Sequence, residues 1–337
     1  MQLSTVWFLL IGFLLTGYAI LDGFDLGVGA LHMIVARTDS ERRQVLNSIG
    51  PVWDGNEVWL ITGGGALFAA FPNAYATVFS GFYLAMVLLL GALILRATSI
   101  EFRSMETNRF WRLGWDFGFS LGSVVAAILF GVALGNVLRG IPIDADGGYR
   151  GGLVGLLNPF ALSIGVMTLG LALLQGSAWL VMKTEGAIQT RARRTGIAAL
   201  VLIVLAWIGA TGLALGDAKR VFDNFGNVLT WVVPFLTANA LLLLVLAWRA
   251  RQDGRAFLFS SLAVVGMAVT AGIALYPDLV PAVDAVRSVT IDNAHSSDTA
   301  LTIMLMVALI GMPIVIGYTS FIYWKFKGKV RLDEASY

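Results

Sequence analysis

The chain has 337 residues, of which 58% are hydrophobic and 13% charged, with a formal net charge of +2 and a mean hydropathy of +0.80. Soluble domains carry about 25% charged residues, so an ordinary globular protein is excluded and a polytopic membrane protein is implied. The lack of cysteine excludes disulfides, thiolate metal sites and cysteine nucleophiles, and the near-neutral charge excludes a basic surface that would hold nucleic acid.

A bilayer-crossing helix needs about 20 apolar residues. Stretches of that kind are expected near 6–35, 52–71, 76–95, 113–138, 159–182, 196–215, 228–248, 256–276 and 301–324. The first carries Asp22 and Asp25 and is followed by no cleavage motif, so it is expected to be a retained helix. No loop is long enough for a separate domain; the largest is the stretch 277–300. The expected fold is therefore an all-α membrane protein of nine spans, a single integral domain over 1–337.

Charge sets its direction. Alternate loops and the C-terminal tail hold 18 of the 23 lysines and arginines, among them Arg37, Arg42, Arg103, Lys183, Arg251 and Lys329. The other side holds Arg139, Arg150, Lys219, Arg220 and Arg287. The positive-inside rule places the rich side in the cytoplasm, which leaves the N-terminus outside and the C-terminus inside. Gly17–Gly23 in span 1 and Gly170–Gly176 in span 5 share Gly, Ala, Leu and Gly at the same offsets. That echo suggests two four-helix bundles plus a peripheral ninth helix; chance similarity of two Gly/Ala/Leu-rich helices is the alternative.

Ionisable groups inside a membrane cost roughly 2.5–3.5 kcal/mol each at a helix centre and face a bundle interior or water. Asp22 and Asp25 stand three apart, on one face of span 1, with His32 seven further on. Asp54 and Glu57 repeat that spacing at the start of span 2, beside Trp53; Arg96 and Glu101 close span 3, and Asp116 opens span 4. All belong on the cytoplasmic side. They read as a proton uptake path, with Asp25, Asp54 and Glu57 expected to be buried. The plainer reading makes Asp54 and Asp116 first-turn acids favoured by the helix dipole, and Arg96 and Glu101 interfacial flanks.

Trp7, Trp111, Trp115, Trp248 and Trp324 are placed at helix ends, as in an interfacial belt. Gly27, Gly29 and the run Gly63–Gly65 are expected to allow close helix packing. The only two histidines, His32 and His295, fall on opposite sides of a core roughly 30 Å thick and cannot share a haem. No cofactor or metal is expected in this chain alone, and any redox centre belongs to a partner.

Asp22-Gly-Phe-Asp-Leu-Gly-Val-Gly29 and Gly50-Pro-Val-Trp-Asp-Gly-Asn-Glu-Val-Trp-Leu60 resemble motifs of subunit II of the cytochrome bd-type quinol oxidases. Gly64-Gly-Ala-Leu-Phe-Ala-Ala-Phe-Pro72, Phe79-Ser-Gly-Phe-Tyr83, Leu156-Leu-Asn-Pro-Phe160 and Tyr323-Trp-Lys325 are similar too, so the resemblance runs end to end. It implies a haem-free subunit paired pseudo-symmetrically with a haem-bearing subunit I in the bacterial cytoplasmic membrane, with a small accessory subunit in some cases. The complex would oxidise ubiquinol or menaquinol with b-type or d-type haems, reduce O₂ to water, and build a membrane potential without pumping. Trp53, Asp54, Arg96 and Glu101 would line a proton path, and Asp22 and Asp25 would match the family's acidic pair. Some members carry glutamine where Glu57 stands and aspartate where Glu101 stands, and this chain has a reduced loop between spans 6 and 7. A proton-coupled secondary transporter is the competing reading; an odd span number and acids gathered at one membrane face argue against it.

Overall fold

The computed structural model describes residues 2–144 and 148–332 and is almost entirely helical. The chain runs through α1 (Leu3–Val35), α2 (Asp39–Ile49), α3 (Trp53–Ala70), α4 (Pro72–Gly81), α5 (Tyr83–Phe102) and α6 (Arg109–Arg139). It continues through the single-turn α7 (Gly152–Leu156), then α8 (Pro159–Lys183), α9 (Gly186–Asp217), α10 (Val232–Arg249), α11 (Asp253–Leu275) and α12 (Asp298–Lys325). Among the described residues, eight helices are long and apolar enough to cross a bilayer: α1, α5, α6, α8, α9, α10, α11 and α12. The chain is thus an integral membrane protein by length and composition of its helices. α3, with 18 residues interrupted by Asp54, Asn56 and Glu57, is not among those eight.

α8 is the most deeply buried of the eight and packs on α1, α6 and α9. The α1–α8 crossing depends on glycine at both sides. A Cβ on Gly27 would lie 1.8 Å from the Ala172 carbonyl oxygen, and one on Gly176 would lie 2.4 Å from the Gly27 carbonyl carbon. The two backbones therefore touch, and the C-terminal part of α1, from Phe24 to His32, is wholly enclosed. Phe24 stacks on Trp179 of α8 with ring centroids 4.1 Å apart, and Phe257 and Tyr323 close on the same pair edge-on.

Hydropathy placed the third span at 76–95, but α5 occupies Tyr83–Phe102. The backbone leaves the helical region at Phe71 (φ −135°, ψ 67°), and Pro72 starts the separate helix α4. Proline is tolerated in a first turn because it has no amide hydrogen to satisfy there. α4 uses apolar residues that hydropathy assigned to the span, so α5 begins about two turns later. The amphipathic helix α2 is also additional: the Thr38 hydroxyl accepts from the Glu41 amide and the Glu41 carboxylate accepts back from the Thr38 amide, a reciprocal N-cap. Its apolar side buries Val45, Leu46 and Ile49.

Three smaller expectations are corrected. Trp7 and Trp248 are core residues rather than interfacial ones: Trp7 is 4% exposed and donates to the Leu301 carbonyl at 3.1 Å, and Trp248 is likewise enclosed. Of the glycine run, only Gly63 faces a neighbour, Leu15, whereas Gly64 and Gly65 open onto free space. The stretch 277–300 is not plain loop, because β1 (Asp278–Val280) and β2 (Val289–Thr290) pair antiparallel within it. Arg220 pins that hairpin through Asp278 at 2.6 Å. Burial raises the Asp278 pKa despite the arginine, whose charge works against the shift.

A buried carboxylate–guanidinium node

Arg96 is fully enclosed near the C-terminal end of α5. Its Nη2 donates to Asp22 Oδ1 at 2.8 Å and its Nη1 to Glu57 Oε1 at 2.5 Å. One guanidinium thus ties α1, α3 and α5 together, with one terminal nitrogen donating to each carboxylate. It gets that close because α6 presents Gly122 there: a Cβ would lie 3.1 Å from the Arg96 amide nitrogen and 2.6 Å from the Ala92 carbonyl. Asp22 has no exposed surface, whereas the Glu57 side chain is 27% exposed and opens the node toward the outside of the chain.

One turn along α1, Asp25 is also fully buried. Its Oδ2 accepts from Asn56 Nδ2 at 2.7 Å. The Asn56 amide nitrogen donates as well to the Leu21 carbonyl at 3.2 Å, and its oxygen accepts from the Tyr323 hydroxyl at 2.9 Å. α12 therefore contributes to the site through a residue that was identified only as part of a motif. Asp22 Oδ2 and Asp25 Oδ1 are buried and accept no hydrogen bond from the protein. The node holds three carboxylates, Asp22, Asp25 and Glu57, around one guanidinium.

Of the residues expected to form a cluster, Asp22, Asp25, Glu57 and Arg96 are brought together. Arg96 is a central residue of the core and not an interfacial flank. Asp54 is exposed, contrary to the expectation of burial. It sits in the first turn of α3 on the outer face, three residues before Glu57, while buried Trp53 turns inward beside it. Glu101 is also exposed, five residues beyond Arg96 on α5.

Asp116 departs furthest from a simple first-turn acid. It is fully buried and accepts from His32 Nε2 at 2.6 Å, Arg103 Nε at 2.6 Å and Arg42 Nη1 at 2.8 Å. Arg103 and Arg112 then share Asp39 at 2.7 and 2.9 Å. This second cluster fastens α2 across the C-terminal ends of α1 and α5 and the N-terminal end of α6. The signal for it was available in the arginine-rich loops, but span counting gives loop arginines a topological role only. Arg191 adds a further tie from α9 to Glu41 at 2.6 Å.

His32 Nε2 is held by Asp116, its Nδ1 is buried with no protein partner, and its ring packs T-shaped on Phe119. His295 is exposed with Nδ1 against the Ser296 carbonyl. Ser296 bonds to the Ala70 backbone and Leu301 to Trp7, so His295 belongs to the end of α1 opposite His32. The 25 residues from Trp7 to His32 correspond to about 38 Å of helix. Among the described residues no group of three or more His, Cys, Asp or Glu side chains is arranged to hold a metal ion.

Comparison with known proteins identifies the family. The profile of the cytochrome bd terminal oxidase subunit II family matches residues 3–326. The chain belongs to this family. It is 40% identical to the cytochrome bd-I ubiquinol oxidase subunit 2 of Escherichia coli K12, over 98% of this chain and 96% of that one. It is 33% identical to the cytochrome bd ubiquinol oxidase subunit 2 of Bacillus subtilis 168, over 99% and 98%. Its fold matches a chain in the solved structure of the bd oxidase from Geobacillus thermodenitrificans with a TM-score of 0.80, 16% identity, and coverage of 97% and 99%.

Proposed function

We propose that the chain is the haem-free subunit II of a quinol:O₂ oxidoreductase in the bacterial cytoplasmic membrane, and that it supplies a cytoplasmic proton uptake path to a haem-bearing subunit I. The names of the 40% and 33% identical relatives support the oxidase role, ubiquinol being the substrate those names give. Haems and the quinol site are assigned to subunit I, where O₂ reduction to water would draw its protons from inside and build membrane potential without pumping.

The observation that carries the proton path is the Arg96 node. Exposed Asp54 lies one turn before partly exposed Glu57 on α3, and exposed Glu101 lies five residues beyond Arg96 on α5; Glu57 joins Arg96, Arg96 joins buried Asp22, and Asp25 lies one turn on. Arg96 holds the path's electrostatic balance while protons move among the carboxylates around it. Trp53 walls the entrance, and Asn56 orients Asp25 so that one carboxylate oxygen is satisfied and the other is left to take a proton.

In this account α3 is a ninth span and the whole chain is one membrane domain. Its 18 residues reach about 27 Å, close to the thickness of the hydrocarbon core. The parallel arrangement of α1 and α12 supports an odd number: their N-terminal ends meet at Trp7 and Leu301, while Tyr323 at the far end of α12 meets Asn56 beside Asp25. With the arginine-rich side in the cytoplasm, the N-terminus lies outside and the C-terminus inside. α12 is the least buried of the spans and takes the place of the peripheral ninth helix beside two four-helix groups.

The test is the pair Asp54→Asn and Glu101→Gln in the assembled oxidase. Both variants should slow O₂ consumption and proton uptake while haem content, visible spectrum and subunit composition stay as in wild type. Unchanged turnover and unchanged proton uptake in both would reduce the surface acids to topology.

A further inference from the structure

At the cytoplasmic rim, between the α1–α2 elbow and the start of α6, lies a cavity of about 300 Å³ lined by Arg37, Asp39, Arg42, Arg109, Arg112 and Leu113, with Thr107 at its edge. We propose that this cavity binds the phosphate headgroup of an anionic phospholipid of the inner leaflet. Four guanidiniums line it against a single carboxylate, and that carboxylate, Asp39, is already shared by Arg103 and Arg112. Arg42 spends one nitrogen on Asp116, while its Nε is buried with no protein acceptor. Arg37 and Arg109 are exposed and form no ion pair among the described residues. Two acids stand close by without balancing this charge. Glu41 is held by Arg191 and by the backbone amides of Arg37 and Thr38, and Glu106 is an exposed residue whose carbonyl accepts from Arg112.

Unpaired guanidiniums in a concave site are the chemistry that selects phosphate, through forked N–H donors that match its oxygens. The volume corresponds to about ten waters, enough for a phosphodiester with its glycerol. Basic pockets at the cytoplasmic ends of membrane helices recognise acidic lipid headgroups in this way.

A second feature separates a lipid from a free phosphate. Leu113 belongs both to the cavity and to an exposed apolar row on α6: Phe110, Leu113, Phe117 and Leu121. Spacings of three, four and four keep those side chains on one helix face. The row runs from the arginines into the bilayer along a helix of spanning length. A headgroup seated on the arginines thus has its acyl chains laid along α6, pinning the α1–α2 elbow to the lipid surface.

The test uses the full-length chain purified in mild detergent with the subunits it retains, delipidated, then titrated with dioctanoyl phosphatidylglycerol and followed by native mass spectrometry. Saturable binding is expected, with at least a ten-fold preference over dioctanoyl phosphatidylcholine. Arg37→Gln/Arg109→Gln should weaken it at least ten-fold, whereas Arg249→Gln/Arg255→Gln on another cytoplasmic loop should not. Phe110→Ser/Phe117→Ser should weaken the lipid further than it weakens inorganic phosphate. Equal loss in both arginine pairs, or none in either, would overturn the site. Displacement of the lipid by millimolar inorganic phosphate, with no effect of the phenylalanine variant, would overturn the lipid in favour of a soluble anion.

Discussion

Replacing Arg96 by glutamine removes the one positive charge in an enclosure that contains Asp22, Asp25 and Glu57. Asp22 is fully buried, and its Oδ1 has Arg96 as partner at 2.8 Å. Removing one member of a buried ion pair costs about 3–5 kcal/mol, because the remaining charge is stranded in low dielectric. Glu57, at 27% exposure, recovers part of its hydration, so most of the cost falls on Asp22. For a chain of this size that is a fall of about 4–7 °C in the unfolding midpoint. The assay is tryptophan fluorescence against temperature on the purified complex, with O₂ consumption recorded in parallel. Arg96→Gln/Asp22→Asn removes the stranded charge along with its partner and should regain more than half of the lost midpoint, while turnover stays low because a proton carrier has gone. A midpoint for Arg96→Gln within about 2 °C of wild type, or a double variant as unstable as the single one, would refute the argument.

Other consequences follow from single contacts. Gly176→Ala forces the α1 and α8 backbones apart and should cost about 1–3 kcal/mol or more, seen as reduced yield and a lowered midpoint; wild-type behaviour would mean the crossing is not tight. Asp116→Asn takes the carboxylate from Arg42, Arg103 and His32, so trypsin should cut after Arg42 or Arg43 at least several-fold faster. Burial pushes the Glu41 pKa up, but the bond from Arg191 and those from the Arg37 and Thr38 amides outweigh it, and the net value lies below that of an ordinary glutamate. Its stabilisation of the α2 cap is therefore full above the ordinary glutamate pKa and is lost as pH falls through the lowered value. The protection factors of the Arg37 and Thr38 amides should fall as the pH drops below the ordinary glutamate range, and Glu41→Gln should already show low protection at neutral pH and lose that step.

Most of the long helices are legible because bilayer thickness fixes helix length. What escapes is what hydropathy does not register. α2 is polar on one side and short, although Thr38-Asp-Ser-Glu41 carries its capping signal. The break at Phe71–Pro72 lies within continuous apolar sequence, so the third span was placed too early. The node was legible in part: three-residue spacing puts Asp22 with Asp25, and topology brings Glu57 and Arg96 to the same membrane side. Nothing local distinguishes Asp54, which faces outward, from Glu57, which turns toward Arg96, because that depends on the rotation of α3 about its axis. Asn56 and Tyr323 meet across 267 positions and show no joint pattern in sequence. Asp116 has the outward marks of a helix-dipole acid, and only the meeting of α1, the end of α5 and the folded-back α2 gives it His32, Arg103 and Arg42 as partners.

The central claim is that protons for O₂ reduction pass through the node around Arg96. The most direct measurement is proton uptake from the cytoplasmic side per O₂ consumed, with the solvent deuterium isotope effect on turnover, for the wild-type oxidase and Asp25→Asn reconstituted in vesicles. Asp25→Asn keeps the volume and a hydrogen-bonding partner for Asn56 but removes a fully buried proton acceptor. The account predicts at least a ten-fold fall in turnover, a raised isotope effect and an unaltered haem spectrum. Turnover and isotope effect equal to wild type, with the variant fully assembled, would contradict it.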